Sequence, residues 1–213
     1  MSRSWAVLAL VGLGCGELAV PRDVSGNYEV AYVDNLRVYL DDHLVAEVVS
    51  GEDADFDWNG HGFEVSQLCS DEGVECPGES SWRTVGVDQP WGTSNRLLNF
   101  VDLDPDRGEL GQRMGGRLGN DGRFSMLSGL DLDGYGDCAA IGVGTVKGTF
   151  TPENDGVTDG VLIYEWAGGC TIGGVELGAK IRLETDYTAV RTGDLDLSAI
   201  DAEPPVTSDG DPA

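Results

Sequence analysis

Three Asp-rich stretches are the residues whose types and spacing first suggest chemistry. Residues 55–60 (Asp-Phe-Asp-Trp-Asn-Gly) match the opening of a calcium-binding EF-hand loop, but Ser66 stands where a bidentate Glu is expected. The flanking residues alternate as strands do, so we interpret 55–60 as a strand leading into a hairpin turn. In the second stretch, residues 102–108, Arg107 would neutralise part of the charge of the three carboxylates.

The third stretch, residues 131–138, is the best calcium candidate. It places Asp131, Asp133 and Asp137 in a Gly-rich loop beside a cysteine. Hard cations need several oxygen ligands, and this loop supplies three carboxylates without help from elsewhere. A calcium-stabilised structural or adhesive surface protein is therefore kept as an alternative function. No other cofactor is indicated.

Hydrolytic catalysis has little support in the sequence. The nucleophile elbow Gly-x-Ser-x-Gly, the zinc helix His-Glu-x-x-His and Ser-x-x-Lys are all missing. The two histidines, His43 and His61, both lie in predicted turns. A carboxylate-dependent hydrolase is the least favoured alternative, because paired carboxylates are recognised only by their separation in space. The sequence predicts a protein that is not an enzyme.

The five cysteines form an odd set, which in an exported protein needs an explanation. Acylation of one of them would leave four, enough for two disulfides in an oxidising compartment. We favour Cys69–Cys76, which closes a short loop, and Cys138–Cys170, which links neighbouring strand ends. A zinc site is not favoured because no Cys-x-x-Cys pair is present.

The N-terminus has the layout of an export signal. One arginine precedes an uncharged apolar run over residues 5–13, and Gly14-Cys15 follows. The run is too short to span a bilayer as a helix. Residues 11–15 resemble the lipobox of bacterial lipoprotein signals, with Gly12 where Leu is usual. The resemblance implies a signal peptide over 1–14, a lipid on Cys15, and an address in the bacterial envelope as an outer-membrane lipoprotein facing the periplasm or the surface.

The charge balance excludes one class of partner. The formal net charge is −25, from 38 acidic and 13 basic residues. Binding to nucleic acid needs Lys and Arg to displace phosphate counterions, so nucleic acid is excluded as a partner. Membrane contact should come from the lipid, while cations, apolar ligands and basic protein surfaces stay open as partners. We divide the rest of the chain into a tether (15–22), one domain (23–192) and a disordered acidic tail (193–213).

Period-two alternation predicts an all-β domain. Candidate strands cover residues 25–33, 36–40, 44–49, 53–58, 63–68, 82–87, 97–103, 123–127, 140–151, 157–166 and 179–191, with 108–122 ambiguous. Short links between them indicate an antiparallel meander of about 8–10 strands. Sequential hairpins favour an up-and-down barrel over a β-sandwich, because closure removes the sheet edges.

The strand ends resemble those of lipocalin-like barrels. In that pattern a Gly-x-Trp on the first strand packs under an arginine from late in the chain, and here Gly26-Asn27-Tyr28 and Arg191 occupy those positions. Aromatic residues could then line a cavity at the barrel mouth or, as we prefer, fill the core; the candidates are Phe56, Trp58, Tyr164 and Trp166. The sequence thus predicts a non-enzymatic module that binds a small apolar ligand or a protein partner.

Overall fold

The computed structural model describes residues 22–49, 52–69, 76–78, 82–90, 96–103, 113–130, 141–167, 170–172 and 174–198. In these residues the strands are, in chain order, β1 (Gly26–Tyr32), β2 (Leu36–Leu40), β3 (His43–Val48), β4 (Asp55–Trp58), β5 (His61–Glu64), β6 (Thr84–Asp88), β7 (Leu97–Asp102), β8 (Arg113–Leu118), β9 (Arg123–Leu130), β10 (Ile141–Phe150), β11 (Gly156–Ala167), β12 (Cys170–Ile172), β13 (Val175–Leu177) and β14 (Ile181–Gly193).

Eight of these strands close into an antiparallel barrel. Their order is β1-β6-β7-β8-β9-β10-β11-β14, and β14 pairs back with β1. The chain visits them in sequence order, with β2–β5 inserted after β1 and β12–β13 inserted before β14. The predicted all-β, up-and-down barrel is therefore confirmed, and the β-sandwich alternative is wrong.

The longest strand, β14, joins the barrel to a sheet extension. Its second half pairs with β1 and its first half with β2, so β1 and β2 lie end to end along it. The break between them is held by the Thr185 hydroxyl, which donates to the Asn35 carbonyl (2.7 Å), and by Asn35 Nδ2, which donates to Asp186 (3.0 Å). Beyond β2, strand β3 forms the outer edge of the sheet.

A cluster of buried apolar side chains lies inside the barrel. Four rings follow one another through it: Tyr28 to Phe150 (centroids 5.9 Å apart), Phe150 to Phe124 (4.8 Å) and Phe124 to Phe100 (5.4 Å). Gly148 makes room for this row, because a Cβ there would lie 3.1 Å from the Phe124 ring. We call this set the barrel core: Val24, Tyr28, Val85, Val87, Leu98, Phe100, Met114, Leu118, Phe124, Met126, Val146, Phe150, Val157, Leu162, Tyr187 and Ala189.

A second core lies at one end of the barrel, beneath an inserted segment. We call residues 52–69 and 76–78 the cap; they comprise the β4–β5 hairpin, a short 3-10 helix (Val65–Gln67) and one disulfide. The cap core contains Leu36, Val38, Leu40, Val48, Phe56, Phe63, Val65, Leu68, Cys69, Cys76, Trp166, Cys170, Ile172, Leu177, Ala179, Ile181 and Leu183.

One predicted strand ends earlier than expected. Residues 63–68 were expected to be extended, but β5 stops at Glu64 and a 3-10 helix follows. Two side chains explain the turn: the Gln67 amide oxygen accepts from the Glu64 N–H (2.9 Å), and Asp53 accepts from the Ser66 hydroxyl (2.7 Å) and N–H (3.1 Å). These local hydrogen bonds compete with strand pairing.

The N-terminus of the described chain lies at the end of the barrel opposite the cap. Arg22 donates to the Thr151 carbonyl (3.0 Å), and Arg191 donates to the Ser25 carbonyl (2.6 Å). We call this the tether end, since residues 1–21 precede it. The first residues of the predicted tail, through Ser198, are described: Leu195 and Leu197 cover β6 at Gly86 from outside.

Candidate functional site

The four aromatic residues predicted to line a cavity do come together at the cap end of the barrel. Phe56 and Trp166 belong to the cap core (6% and 1% exposed), and Trp58 and Tyr164 pack against it. Trp166 faces inward on β11 opposite Ile181 of β14. These side chains therefore belong to or pack against a core cluster, which is the alternative that the sequence favoured for them. Alternation alone cannot distinguish the two cases.

Two tyrosine hydroxyls inside the barrel have acceptors within the chain. The Tyr28 hydroxyl donates to the Val24 carbonyl (2.9 Å), and the Tyr187 hydroxyl donates to the Lys147 carbonyl (3.0 Å). Burial raises the pKa of Tyr28 to about 12, although nearby Arg191 opposes the shift, and burial raises the pKa of Tyr187 well above its usual value. Both phenols are therefore neutral donors whose acceptors belong to the chain.

The first Asp-rich stretch is a hairpin, as predicted. Asn59 and Gly60 have φ values of 52° and 82°, the left-handed conformation that a tight two-residue turn requires. Asp55 and Asp57 are exposed on one face of that hairpin. In the second stretch Asp102 is fully buried at the end of β7.

The favoured calcium loop, with Asp131, Asp133 and Asp137, lies outside the described residues. Among the side chains that the structure describes, no group of three or more His, Cys, Asp or Glu is arranged to hold a metal ion. Calcium therefore stays a prediction.

An open cleft of about 460 Å³ lies along the β4–β5 hairpin. Its floor includes Phe56 and Phe63, whose rings stack with centroids 5.6 Å apart. The remaining lining residues are Asp55, Asp57, Gly62, Glu64 and Gln67. The carboxylates along this cleft suit a cationic group, such as a lysine or arginine side chain.

The cysteines agree with the prediction wherever they are described. The Cys69–Cys76 disulfide is present, with Cα atoms 5.0 Å apart, and it ties the end of the 3-10 segment to residues 76–78. Cys170 is disulfide-bonded and fully buried. Its predicted partner Cys138 and the predicted lipidation site Cys15 lie outside the described residues.

The cap and the residues around it are strongly acidic. Between residues 41 and 82 the sequence has no Lys or Arg, but it has twelve carboxylates and both histidines. His43 and His61 are exposed at the first residues of β3 and β5, next to turns as predicted. The described carboxylates are Asp41, Asp42, Glu47, Glu52, Asp53, Asp55, Asp57 and Glu64.

The neighbouring Lys and Arg side chains form ion pairs on the outer face of the sheet extension. Arg37 holds Asp186 through two hydrogen bonds of 2.7 Å and lies 3.5 Å from Glu184. The hydrogen bond from Arg37 lowers the pKa of Asp186. The other pairs are Lys180–Asp42 (3.0 Å), Lys180–Glu165 (3.4 Å), Arg182–Asp42 (2.9 Å) and Arg182–Glu184 (3.1 Å). Apart from Asp42, the described carboxylates of the cap region have no cation among these pairs.

The residues that carried the lipocalin-like resemblance meet at the tether end. Arg191 is the strand partner of Tyr28, and its side chain lies so close to Gly26 that any Cβ there would collide with it. No protein-family model, curated protein or solved structure matches this chain. Among the described residues, no helix is long and apolar enough to cross a bilayer. The chain is thus described by its fold alone, which is a closed eight-strand barrel with an acidic, disulfide-linked cap.

Proposed function

We propose that this chain is a lipid-anchored protein of the bacterial envelope whose non-enzymatic barrel binds a basic protein partner through its cap region, residues 41–82, which includes β3 and the cap. The observation that supports this most is the contrast between a barrel interior occupied by its own side chains and a cap region without any Lys or Arg. A module of this kind offers its outer surface, not its lumen, to a partner.

The aromatic core inside the barrel favours a protein partner over a small apolar ligand. A ligand pocket needs several hundred cubic ångströms of concave space. The row of Tyr28, Phe150, Phe124 and Phe100 occupies the middle of the barrel, and the cap core occupies its mouth.

The position of the tether supports the cap as the presented surface. Seven residues connect Cys15 to Arg22, which reach at most about 25 Å at roughly 3.3–3.6 Å per residue. Arg22 contacts the barrel at the end opposite the cap. A lipid on Cys15 would therefore hold the tether end near the membrane and direct the cap away from it.

The binding proposal is tested with a ten-residue peptide of alternating Lys and Val and two double variants of equal charge change. Asp55→Lys/Asp57→Lys alters the cap, and Glu29→Lys/Glu153→Lys alters exposed carboxylates of the barrel. We expect the cap variant to bind the peptide at least tenfold more weakly, and the barrel variant to stay within twofold of the parent. Equal losses would mean that net charge alone attracts the peptide, and would overturn the proposal.

The anchor is tested separately by intact mass of the protein extracted from membranes. We expect the mass of an acylated chain beginning at Cys15, and we expect Cys15→Ser to abolish both the added mass and the membrane association. An unmodified Cys15 in the mature protein would contradict the anchor without affecting the binding test.

A further inference from the structure

The strand at the end of the sheet extension, β3, has one unpaired edge. It pairs with β2 on one side, and among the described residues no strand is hydrogen-bonded to its other side. Edge strands expose a row of backbone N–H and C=O groups that can accept another strand. Natural proteins block such edges with Lys, Pro or a covering element. The β3 sequence, His-Leu-Val-Ala-Glu-Val, contains neither Lys nor Pro.

The edge is apolar as well as open. Leu44 is 52% exposed and Val49, directly after the strand, is 46% exposed. Val45 and Ala46 pack against the cap core, which holds the strand in place from the inside. The strand therefore presents a fixed backbone beside apolar side chains, which is the arrangement that recruits an extended peptide.

The charged side chains around β3 indicate which kind of strand could pair with it. Asp41 and Asp42 precede the strand, Glu47 lies exposed within it, and Glu52 follows it. A second copy of this chain would bring the same carboxylates together and is disfavoured by repulsion. A partner segment with Lys or Arg at alternate positions would meet opposite charge instead.

We propose that β3 takes up an extended, basic segment of a protein partner as an added strand. The inference deepens the proposed function, on which it rests, by naming the backbone edge and the mode of recognition. Main-chain hydrogen bonds supply the pairing, and the surrounding carboxylates select basic side chains.

The test separates backbone pairing from attraction of charge. The alternating Lys/Val peptide is compared with the same peptide N-methylated at alternate residues, which keeps every charge but removes the N–H groups of one edge. Both are titrated against the full chain at physiological salt. We expect N-methylation to weaken binding at least tenfold, and the parent peptide to slow amide hydrogen exchange in β3 (His43–Val48).

A matched pair of protein variants locates the site. Leu44→Lys places a charge on the β3 edge, and Leu127→Lys places the same charge on the exposed barrel wall (58% exposed). We expect at least a tenfold loss of affinity for the first and less than a twofold change for the second. Because both side chains are exposed, both variants should keep the parent melting temperature.

Two results would overturn the inference in distinguishable ways. If the N-methylated peptide binds as well as the parent peptide, charge alone is recognised, and the proposed function survives without the edge. If the Lys/Val peptide binds no better than a Glu/Val peptide, basic partners are not recognised and the proposed function fails with the inference.

Discussion

The two cores of this molecule are built in different ways. The barrel core lies between long strands, up to 13 residues in β14, that are paired on both sides around a closed ring. The cap core depends on strands of four residues in β4 and β5 and of three in β12 and β13, with a disulfide at its edge. The comparison indicates that the barrel is stable through its own pairing, while the cap depends on a covalent link and on the barrel beneath it.

The same contrast bears on function. Regions that open locally at low cost have few long-range hydrogen bonds and short elements, and binding surfaces are commonly found among them. The cap combines short elements with a surface rich in carboxylates. The barrel supplies a rigid base, and the sheet extension of β14, β2 and β3 connects the two.

The largest effect should come from emptying the barrel core. Phe124→Ala removes the ring between Phe100 and Phe150, and we expect a loss of about 3–5 kcal/mol in the free energy of unfolding. Leu127→Ala on the same strand is the control, because its exposed side chain should cost less than about 0.5 kcal/mol. Urea unfolding of both variants measures the difference, and similar midpoints would contradict a filled barrel.

Removing the cap disulfide should have a smaller and more local effect. Cys69→Ala/Cys76→Ala opens a loop with a sequence separation of 7, which the chain-entropy model values at about 2–3 kcal/mol. We expect faster amide exchange in β4, β5 and the 3-10 segment, with exchange in β9 and β10 unchanged. Equal acceleration in both regions would show that barrel and cap unfold as one unit.

The smallest effect should come from the Arg37–Asp186 ion pair, which lies between the two regions, and this effect depends on pH. Since Arg37 lowers the pKa of Asp186, the ion pair stabilises the fold above the ordinary Asp pKa near 4, and this contribution is lost as the pH falls through the lower folded pKa. The Asp186 side chain is 37% exposed, so solvent screening limits the pair to about 1 kcal/mol.

The measurement for this pair is unfolding of the parent chain and Asp186→Asn at pH 7 and pH 2.5. We expect the variant to be less stable at pH 7 and the difference between the two proteins to narrow at pH 2.5. A constant difference between them would rule out the ion pair as the cause.

The sequence predicts the barrel better than the cap for a physical reason. In β10, and in β14 through Ala189, every second residue is buried, so a period of two persists over many residues. The predicted boundaries of β1, β10, β11 and β14 lie within about two residues of those in the structure. The turn at Asn59-Gly60 is predicted because these residues tolerate a positive φ.

The elements that the sequence does not predict are those without a readable alternation of apolar and polar residues. Strand β8 contains Gly115 and Gly116, which interrupt its apolar alternation; Gly116 is required because a Cβ there would meet the backbone of Met126. Strands β12 and β13 are too short to show a period. The open edge of β3 depends on β1 and β2 sharing β14, a long-range pairing that no local pattern contains.

The central claim is that partners bind at the cap end and not inside the barrel. It is tested most directly by amide chemical-shift mapping of the full, unacylated chain, titrated separately with the Lys/Val peptide and with palmitate below its micellar concentration. We predict saturable shifts in β3 and the β4–β5 hairpin with the peptide, and none around Phe100, Phe124 and Phe150 with palmitate. Saturable palmitate shifts at those rings, with β3 unchanged by the peptide, would contradict the account.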